Sequence, residues 1–347
     1  VRSGLLLLWH AFAKYVIRNY CPAGNDYAAD AVSNLGEGAK RVFMKTTRRV
    51  FLQSSFVGVT AAAMPLTGRN DISLASWSLV QSFRAGRWKL LDLPRILRET
   101  LHINGLEYVN TFFENPTLEY LKRLKRNCED NGITSVLVMV DDEGNTAAID
   151  KAERMQSVIA HRKWIDIAAY LGCHSVRCNL RGGLKDWRQD KDIAKRGAES
   201  FLSLLDYSKG TGLNIILENH GGASSDPDVL VQIIKLIDNP RFGLLVDLGN
   251  WNPGVNRYEA VSKLIRYARG LSVKGTYGPN RDPNFDMEKL LQVCLDGGYH
   301  GWWAIESGWR RPQGATGEPT PEQVWEGEVS AILGSKSVVE RVVLKKT

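Results

Sequence analysis

From about residue 70 onward, short apolar runs alternate with stretches of helical periodicity. The clearest case is residues 212–250, GLNIILENHGGASSDPDVLVQIIKLIDNPRFGLLVDLGN. The run at 215–217 suits a strand buried on both faces, and it ends in Glu218, Asn219 and His220. Asp226-Pro227 then predicts a helix start, because Asp accepts from the orphan N–H groups and Pro is tolerated in the first turn. Val229, Ile233, Leu236 and Ile237 keep a helical spacing until Asn239-Pro240 stops it. The next run, at 244–246, ends in Asp247. Two successive strands thus finish in a carboxylate, at the strand end where β/α folds carry their chemistry.

The alternation repeats eight times. Further strands are predicted at 72–76, 105–109, 133–140, 174–179, 271–274 and 302–306. Helices are predicted to open at Asp92, Pro116, Asp286 and about Pro321, with stops at Asn131-Gly132, Gly172 and Gly297-Gly298. Eight parallel units without hairpin signals predict an α/β fold, a single (β/α)8 TIM barrel. The roughly 275 residues available are close to the ~250 such a barrel needs. An open doubly wound sheet is the alternative, but no GxGxxG or Walker-type loop accompanies it.

Side chains alternate along a strand, so each terminal charge fixes which residues face the lumen. Glu218 shares its face with Ile216 and Asn214, Asp247 with Leu245 and Gly243, and Glu306 with Ala304 and Trp302. Lys274 shares a face with Ser272, and Arg177 with Asn179 and Ser175. Glu218, Asp247, Lys274 and Glu306 therefore stand at the mouth of four adjacent strands. Any one carboxylate there could be a helix cap or a rim ion pair. A cluster of them either binds a cation or retains a proton through like-charge repulsion.

Composition changes this picture little. The chain has 347 residues, 44% of them hydrophobic, enough for one barrel-sized core or two smaller ones. Its net charge of +7 is concentrated early: residues 1–68 hold eight basic and three acidic side chains, leaving 37 and 35 for the rest. The nearly neutral body gives no case for nucleic-acid binding. Five cysteines without CxxC spacing predict buried thiols rather than a disulfide framework or a metal knuckle.

Residues 44–64 read MKTTRRVFLQSSFVGVTAAAM. Thr47-Arg48-Arg49-Val50-Phe51-Leu52 resembles a twin-arginine export motif, followed by an apolar stretch and by Ala61-Ala62-Ala63, where a signal peptidase could cut. This predicts a signal over 44–68 ahead of a barrel over 69–347. The implied partner is the twin-arginine export machinery, and the implied location is exported and periplasmic. Residues 1–43 are expected to be an upstream extension, because such a signal begins near its own methionine, here Met44. Their apolar patch is broken by His10 and Lys14, so no permanent membrane span is expected. N-terminal sequencing of exported protein checks this, and a mature form beginning before Met44 would refute it.

In ENHGG, LLVDLGN, SVKGTYG and GGYHGWWAIESG, from Asp71 to the C-terminus, the chain resembles the sugar phosphate isomerase/epimerase family of xylose isomerase-like barrel fold. That resemblance implies an isomerase or epimerase acting on a sugar or sugar derivative by metal-assisted proton transfer α to a carbonyl. It implies one divalent cation, Mn2+ or Mg2+ first and Zn2+ next, on Glu218, Asp247 and Glu306. Glu218 and Glu306 would move the proton. The family's strand-seven His is absent: Ser272 and Lys274 occupy that region, and Asn250 stands where several relatives have a second His. Either the three carboxylates hold the metal with waters and His220, or the Lys274 ammonium polarises the sugar carbonyl. His220, Asn250, Lys274, Arg177, Trp251 and Trp309 are the expected substrate-binding residues, with Trp77 and Trp187 also near mouth loops. A homo-oligomer is compatible with this reading. The rivals are a glycoside hydrolase or lyase using Glu218 and Glu306, and a non-catalytic sugar-binding barrel. A multi-zinc endonuclease fails for want of histidines at the mouth, where only His220 is well placed.

Overall fold

The computed structural model describes residues 70–275, 285–309 and 316–345. The twin-arginine stretch and Cys21 lie outside the described residues. Eight parallel strands close into a barrel in chain order. They are β1 (Asp71–Ala75), β2 (Gly105–Val109), β3 (Thr134–Met139), β4 (Ser175–Cys178), β5 (Asn214–Glu218), β6 (Phe242–Asp247), β7 (Ala268–Lys274) and β8 (Trp302–Glu306). All eight expected strands are present, and β2 and β8 have the expected bounds.

The helices form where the caps predict. α1 (Val80–Arg84) and α2 (Leu93–Ile96) follow β1, and α3 (Leu118–Asp130), α4 (Lys151–Leu171) and α5 (Ile193–Tyr207) follow β2 to β4. After them come α6 (Pro227–Ile237), α7 (Arg257–Leu264), α8 (Met287–Asp296) and α9 (Pro321–Val342). Asp226 accepts from the N–H groups of Asp228 and Val229 with Pro227 in the first turn, and Asp286 caps α8 through Lys289 N–H. Gly172 ends α4 at φ +82°, a conformation that costs glycine little. The region after β1 differs from expectation. Instead of one helix from Asp92, the chain makes a 3-10 turn at Leu90–Asp92, one turn of α2 and a π-type turn at Leu97–Leu101 that ends at left-handed His102.

The alternation rule holds inside the barrel. A side chain at Gly270 of β7 would meet Leu137, Ile216 and Leu245, three lumen residues that fill the middle of the barrel. Trp302 faces inward at the lower end, where its ring lies against Gly105 and leaves no room for a Cβ there. Trp303 faces outward and is fully buried, edge-on to Tyr299 at 5.2 Å. Above the apolar layer, the lumen side of the strands turns polar at Arg177, Glu218, Asp247, Ser272 and Glu306. Cys128, Cys173, Cys178 and Cys294 are free and buried. Among the described residues, no helix is long and apolar enough to cross a membrane.

Candidate active site

The mouth is built from two cations set among four carboxylates. Arg177 leaves β4 almost fully buried; its Nη1 lies 2.8 Å from Asp141 Oδ1 and its Nε 2.9 Å from Glu218 Oε2. The second contact is not aligned as a hydrogen bond, and both of its atoms lack a hydrogen-bond partner. Lys274, at the end of β7, places its Nζ 2.9 Å from Asp247 Oδ2 and against Glu306 Oε1. Ser272 donates to the other oxygen of Glu306 at 2.8 Å. Asn250 ties two strands together, its Nδ2 donating to Asp247 Oδ2 at 2.9 Å and to Glu218 Oε1 at 3.3 Å. Asn219 holds the backbone of Asp247 in place by exchanging two hydrogen bonds with it, at 2.8 and 2.9 Å.

These partners separate the acids electrostatically. Burial pushes the Glu218 carboxyl up to about 8; Arg177 opposes this, while Asp247 and Glu306 add to it. Burial alone would also raise Glu306, but Lys274 and Ser272 hold it below the usual carboxylate range. Burial acts against the charge of Lys274 as well, yet Asp247 and Glu306 keep its ammonium protonated well above ordinary pH. Of Glu218 and Glu306, Glu218 therefore holds its proton to the higher pH, and Glu306 across the cavity is a carboxylate at neutral pH. Both border a cavity of about 160 Å3, together with Asp141, Arg177, His220 and Trp77.

A family model described as the xylose isomerase-like TIM barrel matches residues 99–332. The chain belongs to this family. Several solved structures resemble this family member in fold. D-Allulose 3-epimerase from Methylomonas sp. is 13% identical, with a TM-score of 0.61 over 79% of this chain and 98% of that one. A sugar phosphate isomerase/epimerase from Parabacteroides distasonis is 16% identical, with a TM-score of 0.57 over 83% and 100%. The 3-keto-D-glucoside 4-epimerase of E. coli is 13% identical, with a TM-score of 0.56 over 70% and 94%. At these identities the likeness is one of fold. No curated protein sequence matches the chain.

Glu218, Asp247 and Glu306, the expected cation ligands of this xylose isomerase-like barrel, do converge: one oxygen of each lies within 4.8 Å of the others. Oxygen donors of this kind suit a hard divalent cation. As arranged, however, they do not fit one, because Lys274 already contacts two of the three. The other expected residues fall into two groups. Arg177, Asn250 and Lys274 bind the carboxylates themselves, and His220 stands on the cavity wall, its N–H bonded to Ser224 Oγ. Trp251 and Trp309 are not on that wall. Trp251 packs against the core, and the Trp309 ring lies flat on α9 where Gly327 makes room for it. Trp77 is the tryptophan that lines the cavity, stacked 5.7 Å from Phe112. Trp187 sits beside Gly222, away from the acids.

Two lumen acids were not anticipated. Asp141, just past β3, anchors Arg177 and Asn179. Glu107 of β2 is 1% exposed; its Oε1 accepts from Ser73 Oγ at 2.9 Å and its Oε2 has no partner. Strand parity, continued from Val109 back through Glu107, points it into the lumen and could have found it. Burial pushes Glu107 up to about 8, so the folded protein keeps a proton that the unfolded chain loses near pH 4.5. Between those limits the folded state binds more protons than the unfolded one, and stability falls as pH rises. We expect Glu107→Gln, which is uncharged at every pH, to remove about 1.4 kcal/mol of that decline per pH unit. Denaturant unfolding of both proteins at several pH values reads this. A stability difference that stays constant with pH would show that Glu107 is ionised in the fold.

Proposed function

We propose that the protein is a sugar isomerase or epimerase that moves a proton on a carbon α to a carbonyl. The observation that carries this reading is that Glu218 and Glu306 border one small cavity with the Lys274 ammonium against Glu306, in surroundings that raise the proton affinity of Glu218 and lower that of Glu306. Two acids whose environments push their proton affinities apart are what a two-group proton transfer needs. The Glu306 carboxylate takes the α-proton, and the electron pair left on carbon moves onto the carbonyl oxygen to give an enediolate. Lys274, whose ammonium contacts Glu306 of the cavity wall, is the cation we assign to stabilising that oxygen's charge. The Glu218 carboxylic acid then returns a proton to carbon, inverting a centre when it delivers to the opposite face. Exchange with solvent resets the two acids.

The sugar epimerases and isomerases that share this fold support the substrate class. Trp77 offers an aromatic face to sugar C–H bonds. A metal is not needed for any of these steps. The hydrolase or lyase reading uses the same two acids, Glu218 and Glu306, on the same cavity wall, and the test below separates it from the isomerase.

The test is a screen of keto-sugars and oxidised sugar derivatives in deuterated water. The expected result is enzyme-dependent deuterium wash-in at a single sugar carbon. Glycosidic cleavage without wash-in would instead establish the hydrolase or lyase.

A further inference from the structure

The cation position at the barrel mouth is filled by a side chain. Asp247 has two oxygens and about four lone-pair positions. Its Oδ1 takes the N–H groups of Gly249 at 2.6 Å and Asn250 at 2.8 Å. Its Oδ2 takes Lys274 Nζ and Asn250 Nδ2, both at 2.9 Å. Four donors thus meet four acceptor positions, and no lone pair is left for a metal. Glu306 takes two donors, Ser272 at one oxygen and Lys274 at the other, so the same ammonium stands between Glu306 and Asp247. A divalent ion about 2.0–2.2 Å from these oxygens would also lie against the Lys274 ammonium and repel it.

We propose that the Lys274 ammonium is the resident cation of this site. It takes the place of a divalent metal and is the group that binds the substrate's carbonyl oxygen. The second half of this proposal rests on the isomerase reading; the first does not. An ammonium has three N–H donors, of which Asp247 and Glu306 take two. Among the described residues the third has no acceptor, and we assign it to the ligand oxygen. The carboxylates hold the ammonium in one place, so little reorganisation is needed when charge develops on that oxygen. Ser272, in the strand-seven region where the resemblance would place a histidine that this chain lacks, instead donates to Glu306.

The test is a Mn2+ titration of the chelator-treated full-length chain, with free Mn2+ followed by its electron paramagnetic resonance signal. Wild type is expected to show no stoichiometric site. Lys274→Met frees the three carboxylates and is expected to take up one Mn2+ per chain. Lys274→His adds a nitrogen ligand and is expected to bind more tightly still. One Mn2+ per chain in wild type overturns the proposal, and that measurement stands even if a variant fails to fold. Variants that fold with wild-type circular dichroism yet bind no Mn2+ overturn it too. In deuterium wash-in, wild-type exchange is expected to survive chelator; exchange lost with chelator and restored by Mn2+ overturns the proposal. If no sugar exchanges at all, the isomerase reading and the substrate half fail together. The Mn2+ titration then decides the ammonium half alone.

Discussion

Glu218→Gln is expected to lower deuterium wash-in by about 10²–10⁴-fold, the range for loss of a positioned acid or base, while leaving the fold nearly as stable as wild type. The two halves of that expectation come from the same fact. Glu218 is 2% exposed and carries its proton at neutral pH, because burial outweighs the pull of Arg177. Glutamine has the same shape, keeps an oxygen for Asn250 and removes no charge that was present. It has no proton to return to carbon. Thermal melting and wash-in of the same preparation read both effects. A variant destabilised by several kcal/mol (the range for a broken buried pair) but still exchanging at the wild-type rate would make Glu218 a structural partner of Arg177, and the proposed chemistry would fail.

What could be read from the sequence follows the range of the forces involved. Asp226, Asp286 and Gly172 act on their own turns, so capping and stop signals located α6, α8 and the end of α4. Parity is also local, and it placed Glu218, Asp247, Lys274 and Glu306 on one rim because each ends its own strand. Glu107 is equally legible by parity, but it lies two residues inside β2, where no terminal carboxylate draws attention to the lumen face. Trp309 was beyond reach for a different reason. Its place is set by Gly327, eighteen positions along the chain on α9, and no local pattern links the two. The segment after β1 departs from a single helix through the π-type turn at Leu97–Leu101, which local periodicity does not distinguish from an α-turn. The choice between metal and ammonium could not be made from residue types either. It depends on where one flexible side chain, Lys274, places its nitrogen relative to Asp247 and Glu306.

Arg177→Met is expected to cost about 3–5 kcal/mol of folding stability, the range for removing one partner of a buried charge pair. Methionine fills much of the same volume, so the loss measures charge more than packing. Asp141 suffers most: burial alone would raise its carboxyl, and Arg177 is the main influence holding it below the usual range. Asn179 still donates to it at 2.8 Å, but a neutral amide does not balance a buried charge. Asp141→Asn in the Arg177→Met background should therefore recover part of the loss, and a double-mutant cycle measures how much. The effect should also depend on pH in a fixed direction. Without the guanidinium, Glu218 holds its proton to still higher pH than in wild type, whereas the unfolded chain is unchanged. Below the wild-type value of about 8 both folded proteins hold this proton and the deficit from it is flat; from about pH 7 upward only the variant still holds it, so its deficit grows. Guanidinium unfolding from about pH 5 upward tests this. A deficit that already grows between about pH 5 and 7 in the Asp141→Asn background would mean that Glu218 is ionised in the resting site, and that the acid returning the proton must be another group.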